Sequence, residues 1–169
     1  MKVVLAALIV SLSLNAPATA GPFEDGVIAY ERADYGAALR LWHPLATQGD
    51  VEAQYSLGVM YHIGQGVQQD YARALFWYRK ATEQGFAAAQ YQLGNMYLAG
   101  TGVRQDYAAA MSWYRKAAEQ GAPYAQRSLG IMYENGLGVP EDYVEAMKWY
   151  RKADNQGNAS GSAPAQRRR

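Results

Sequence analysis

Few side chains in this chain are of the types that make and break bonds, and their spacing does not gather them. Cysteine is absent, which excludes thiol nucleophiles and a Cys-based metal site. The two histidines, His43 and His62, fall in different segments and lack the spacing of a metal-binding pair. No serine stands in a nucleophile-elbow context. Three Gly-x-Gly triplets, at 64–66, 100–102 and 136–138, invite a phosphate-loop reading. Each follows a helical pattern instead of a strand, however, and the third glycine of the dinucleotide fingerprint is missing. Asp70, Asp106 and Asp142 could suggest paired carboxylates. Stacked helical units would hold them roughly 10 Å apart, too far for a retaining pair. Each precedes a helical segment, where a carboxylate caps free amides. The chain is read as a non-enzyme with no catalytic residue, no cofactor and no metal ligand.

The elements around these residues carry more information. Nineteen residues, from Ala53 to Gly85, reappear 36 and 72 positions later, ending at Gly157. A fixed period in the range of about 20–50 residues marks a stacked array, in which one unit cannot bury its apolar face alone. Within residues 50–85, the pattern from Val51 to Ile63 is helical and stops at Gly64, a residue suited to a left-handed cap. A second helical pattern runs from Tyr71 to Gln84 behind Asp70. In the last copy Glu145 follows Asp142 at the spacing of a capping box. Each unit is therefore expected to be a helix hairpin.

Projected at 100° per residue, the first helix has two separate faces. The recurring Ala53, Gln54, Leu57, Gly58, Met60 and Tyr61 share one and are expected to pack. The varying positions share the other: Glu52, Tyr55, Val59, His62 and Ile63 in the first full copy; Ala88, Tyr91, Asn95, Leu98 and Ala99 in the second; Tyr124, Arg127, Ile131, Glu134 and Asn135 in the third. Tyrosine and arginine are good contact types for an interface. On the second helix, Tyr71, Ala74, Trp77, Tyr78, Ala81 and Gln84 form the packing stripe. Small Gly58 and Ala74 would let the helices approach while Trp77 and Tyr78 fill the space beside them. Truncating Trp113 to alanine is accordingly expected to cost about 3–5 kcal/mol. Arg79 and Lys80 recur off the stripe. Their stems are expected to lie along apolar surface, with Arg79 four residues before Glu83; a functional basic ridge is the alternative.

The ends differ from the array. Lys2 followed by apolar Val3 to Leu14, with Ala18-Thr19-Ala20 behind a break at Pro17, reads as a cleaved signal peptide over 1–20. Its apolar run falls short of the ~20 residues that span a bilayer, so no transmembrane span is expected after cleavage. The product would be exported, periplasmic or secreted. Without Lys2 the basic and acidic residues balance, which gives no electrostatic case for nucleic acid. Residues 158–169, rich in small residues and ending in three arginines, read as a disordered tail. No helical pattern is read beyond Lys152, and Val144, Met147 and Trp149 would leave an apolar end open to a second copy, so a homodimer through the C-terminal end is an alternative reading.

The copies AQYSLGVMYHIGQGVQQDYARALFWYRKATEQG, AQYQLGNMYLAGTGVRQDYAAAMSWYRKAAEQG and AQRSLGIMYENGLGVPEDYVEAMKWYRKADNQG closely resemble the Sel-1-like repeat family, a relative of the tetratricopeptide repeat. The resemblance covers 50–157, as units 50–85, 86–121 and 122–157. A degenerate unit over 21–49 precedes them, with Tyr35 and Ala38 in the places of Tyr71 and Ala74, and Leu41-Trp42 in that of Trp77-Tyr78. The family implies an all-α, right-handed α/α superhelical solenoid of about four helix hairpins, used as a scaffold or adaptor for protein–protein interaction. Against the tetratricopeptide pattern, the varying face is the concave groove where a protein or peptide lies. Cysteine-rich exported relatives have been described as penicillin-binding or β-lactamase-like; their hallmark is a disulfide in each repeat, and this chain has no cysteine.

Overall fold

The computed structural model describes residues 21–159 of the 169-residue chain. The expected signal peptide, and the tail from residue 160 onward, lie outside the described residues. Eight helices form four antiparallel hairpins: α1 (Pro22–Glu31) with α2 (Tyr35–Thr47), α3 (Val51–Ile63) with α4 (Tyr71–Glu83), α5 (Ala87–Ala99) with α6 (Tyr107–Glu119), and α7 (Pro123–Glu134) with α8 (Tyr143–Ala159). Each second helix also packs on the first helix of the next hairpin, so the chain is an α/α solenoid. The last helix continues through Gly157 to Ala159 instead of stopping near Lys152.

Five of the eight helix starts are set by side-chain caps. Asp70, Asp106 and Asp142 each accept a hydrogen bond at 2.9 Å from the backbone N–H three residues on. Asp34 and Asp50 do the same for α2 and α3. The capping box at Asp142 does not close: the Asp142 N–H donates to the Tyr133 carbonyl at 2.9 Å, and the Glu145 carboxylate accepts from Lys148 at 2.8 Å. Helix α2 runs through Pro44 to Thr47.

The Gly-x-Gly triplets are turns. Gly64 ends α3 with φ 75°, a left-handed conformation that other residues adopt only at a cost. Gly66 (φ 71°) has a second job: a Cβ there would strike Tyr35, at the start of the preceding hairpin's second helix. Gly102 and Gly138 abut Tyr71 and Tyr107 in the same way. The turn that could have cradled a phosphate is thus the joint between hairpins.

Inside each hairpin the helices meet at a glycine and an aromatic ring, a tyrosine in three of the four. Gly58 sits in mid-helix, where glycine costs about 1 kcal/mol relative to alanine, so a packing reason is needed. A Cβ on Gly58 would stand 2.5 Å from the Tyr78 ring. Gly94 and Gly130 bear the same relation to Tyr114 and Tyr150, and Gly26 to the Trp42 indole. The first hairpin therefore keeps the contact with a different aromatic and a much shorter turn, Arg32 to Asp34. Around these contacts lie Leu57, Met60, Leu93, Met96, Leu129 and Met132, all fully buried. Buried Gln54 donates to the Ala46 carbonyl at 3.0 Å and accepts from Gln84 at 2.9 Å, which ties the second hairpin to the first and joins its own two helices.

Trp113 departs from expectation. It is only half-buried, with the Lys116 ammonium 4.3 Å above its ring, while its neighbour Tyr114 is 1% exposed. The side chain that fills the hairpin is the tyrosine. Arg79 also differs: it donates to the Tyr97 hydroxyl of the next hairpin at 3.4 Å, and Arg115 to Tyr133 at 2.8 Å, while Glu83 pairs with Lys80. These arginines bridge hairpins.

Tyr114→Ala is expected to cost about 3–5 kcal/mol in urea unfolding, and Trp113→Ala distinctly less. Gly94→Ala should destabilise by about 1–3 kcal/mol despite alanine's better helix propensity. The same change made in a Tyr114→Ala background should be close to neutral; a full penalty there would remove the ring as its cause.

Candidate functional site

Aligned first helices α3, α5 and α7 bring three of the expected groove residues together. Tyr55, Tyr91 and Tyr124 line one cleft of about 470 Å³, with Ala88, Gln92 and Ala122 between the rings. Tyr55 is held by neighbours, its ring 5.9 Å from Tyr78 and 5.3 Å from Phe86. Tyr91 likewise lies 5.6 Å from Tyr114 and 6.3 Å from Tyr124. Tyr124 is 74% exposed and forms the open wall. Gln92 accepts from Asn95 at 3.0 Å, which leaves its amide N–H groups turned to no partner among the described residues. The lining carries no formal charge.

The remaining varying positions divide. Val59 and Leu98 are half-buried and pack on the core clusters, and Glu52 is exposed in the first turn of α3. His62, Asn95 and Glu134 meet the hydroxyls of the hairpin tyrosines: Tyr78 lies 3.5 Å from His62 Nδ1, Tyr114 donates to Asn95 at 2.8 Å, and Tyr150 donates to Glu134 at 2.6 Å. Arg127 and Ile131 line a separate cleft at the C-terminal end. The varying face is therefore partly a docking surface and partly the outer rim of the core. Sequence reasoning did not select Gln92, although it lies on the varying face, nor Ala122, which lies in the turn before α7.

The titratable groups at this rim are one partly buried histidine and the hairpin phenols. His62 stands edge-on to Tyr71 with ring centres 5.6 Å apart, and burial lowers its pKa. Its ring neighbours are the phenols of Tyr71 and Tyr78, and no carboxylate is hydrogen-bonded to it among the described residues. Burial pushes Tyr78 and Tyr114 well above the ordinary phenol range. Tyr150 is pushed up to about 12 by burial and by its hydrogen bond to Glu134. Among the described residues no group of His, Asp and Glu side chains is arranged to hold a metal ion, and no helix is long and apolar enough to cross a membrane.

The Sel1 repeat model matches residues 23–50, 51–86, 87–121 and 123–158. The chain belongs to the Sel1 repeat family. Two solved Sel1-type structures are similar. One is the crystal structure of c5321, a protective antigen present in uropathogenic Escherichia coli strains and displaying an SLR fold: 43% identity, TM-score 0.76, covering 82% of this chain and 31% of that one. The other is a Sel1 repeat protein from Oxalobacter formigenes: 37% identity, TM-score 0.75, covering 82% of this chain and 57% of that one. The chain thus spans between a third and three fifths of the length of these relatives. Helicobacter pylori cysteine rich protein B shares the fold at 21% identity and TM-score 0.56, over 85% of this chain and 97% of that one. No curated protein matches. The architecture is the right-handed α/α solenoid that the repeats imply, and Sel1-repeat proteins are in general protein-interaction scaffolds.

The Sel1 hairpin's buried tyrosines make a prediction about alkaline pH. In the unfolded chain a tyrosine ionises near pH ~10. The folded-state pKa values of Tyr78, Tyr114 and Tyr150 are all raised, so the native state holds these protons more tightly. Their contribution to stability is complete below pH ~10 and is lost as the pH rises through the folded-state values. The melting temperature should therefore fall steeply from pH ~10 towards ~12, and Tyr114→Phe should make that fall shallower. An unchanged slope would show that Tyr114 is not proton-linked to folding.

Proposed function

We propose that this chain is an exported, non-catalytic adaptor that takes a segment of another protein in the cleft of Tyr55, Tyr91 and Tyr124. The observation that carries the reading is the convergence of one tyrosine from each of three successive first helices on a single uncharged cleft. Rings already held against Tyr78, Phe86 and Tyr114 lose little freedom on binding, so their contact area costs little entropy. Alanines at 88 and 122 leave room between the rings for a partner's apolar side chains. The free N–H groups of Gln92 would fix a backbone carbonyl. A neutral lining suits a peptide segment with apolar or aromatic side chains and offers nothing to a polyanion. Export rests on the leader-like residues 1–20.

Two measurements test this. Mass spectrometry of the protein recovered from periplasm or medium should find a chain beginning at Gly21; recovery only inside the cell with Met1 retained would end the export reading. Crosslinking from the envelope and secreted fractions should capture a partner with the wild type. Tyr91→Ala and Tyr124→Ala, first shown by circular dichroism to be folded, should each weaken capture by about 1–2 kcal/mol. Equal capture by both variants and the wild type would move binding away from this cleft.

A further inference from the structure

The last hairpin is built like the others and covered less. In each internal hairpin, the outer side of the second helix receives the next hairpin's first helix and its Gly-x-Gly turn. Met111 is therefore 6% exposed, whereas Met147, at the same position of α8, is 50% exposed. Tyr35, Tyr71 and Tyr107 lie under Gly66, Gly102 and Gly138, but no described residue takes that place over Tyr143. Val144 beside it is 70% exposed. On α7, Ile131 is exposed where Val59 and Asn95 of earlier hairpins are half-buried. Between the two helices Ile131, Met147, Tyr150 and Ala153 line a cleft of about 460 Å³ together with Arg127 and Asp154. Neither charged group has an ion-pair partner among the described residues.

We propose that this end cleft is a self-association site that takes the same face of a second copy of the chain in a two-fold arrangement. A two-fold interface uses one patch twice, so the patch must be its own complement. This patch holds both halves of such a pairing: apolar Ile131 and Met147 share the cleft with one cation and one anion that have no ion-pair partner among the described residues. The two-fold brings Arg127 towards Asp154 of the partner subunit, and the reverse pair forms with it. A formal net charge of +1 puts no large repulsion between copies. The proposal uses residues other than the tyrosine cleft, so it stands independently of the adaptor reading.

Light scattering and sedimentation of the chain, as recovered from the cell, across the micromolar range should give a dimer. Met147→Glu should weaken dimerisation at least ~10-fold while leaving helicity and melting unchanged, since Met147 is already exposed. Arg127→Asp should weaken it too, and the swap Arg127→Asp/Asp154→Arg should restore it. Tyr55→Ala should leave the dimer intact, which separates this site from the adaptor cleft. A monomer throughout the range would overturn the proposal and leave the end to residues 160–169 or to a foreign protein. A dimer indifferent to Met147→Glu would also overturn it, as would oligomers that grow without limit, the mark of head-to-tail contacts.

Discussion

Everything in this solenoid hangs on how closely two helices can approach inside one hairpin. The contact that permits it is a glycine on the first helix lying flat against an aromatic ring on the second, at Gly58/Tyr78, Gly94/Tyr114 and Gly130/Tyr150. A methyl group at the glycine would occupy the ring's own space, so the pair is a unit: neither member tolerates change alone. The first hairpin shows that the constraint is geometric and not specific to tyrosine. Gly26 meets the Trp42 indole there, whose N–H donates to the Phe23 carbonyl at 3.1 Å.

The close approach also decides what the surface presents. Because each tyrosine ring lies across the hairpin, its hydroxyl emerges at the edge of the varying face and must find an acceptor there. The three hairpins solve this with three different side chains, His62, Asn95 and Glu134. Variation along that face thus has two physical origins: positions that satisfy a core hydroxyl in alternative ways, and positions that are free to meet a partner. The joints between hairpins show the same economy. Arg79 and Arg115 reach tyrosine hydroxyls of the following hairpin, and the second glycine of each turn seats on the preceding one.

Much of this was legible in the residues. The hairpin unit, the aspartate caps and the left-handed glycines follow from local chemistry, which acts over three or four residues and repeats with the period. The partners of that chemistry were less legible. Trp113 and Tyr114 are adjacent large aromatics on one stripe, and nothing local says which enters the hairpin. Glu145 stands at capping-box spacing, yet Lys148 is within reach on the next turn and takes its carboxylate. Of the expected groove, Tyr55, Tyr91 and Tyr124 converge, while Arg127 and Ile131 fall to the end of the array, where no described hairpin continues the surface.

By itself, the sequence determined the period, the helix boundaries of the repeating unit except the end of the last helix, the turn chemistry and the absence of thiol chemistry, and with the family resemblance it determined the class of fold. These depend on residue type and spacing along one helix. Tertiary structure alone decided which aromatic fills each hairpin, which recurring arginine bridges to the next, and which varying side chains share a cleft. Those outcomes depend on distances between helices, across chain separations of 18 residues for the arginine bridges and 20 for the glycine–tyrosine contacts, and those distances are set by the depth to which each ring seats against its glycine.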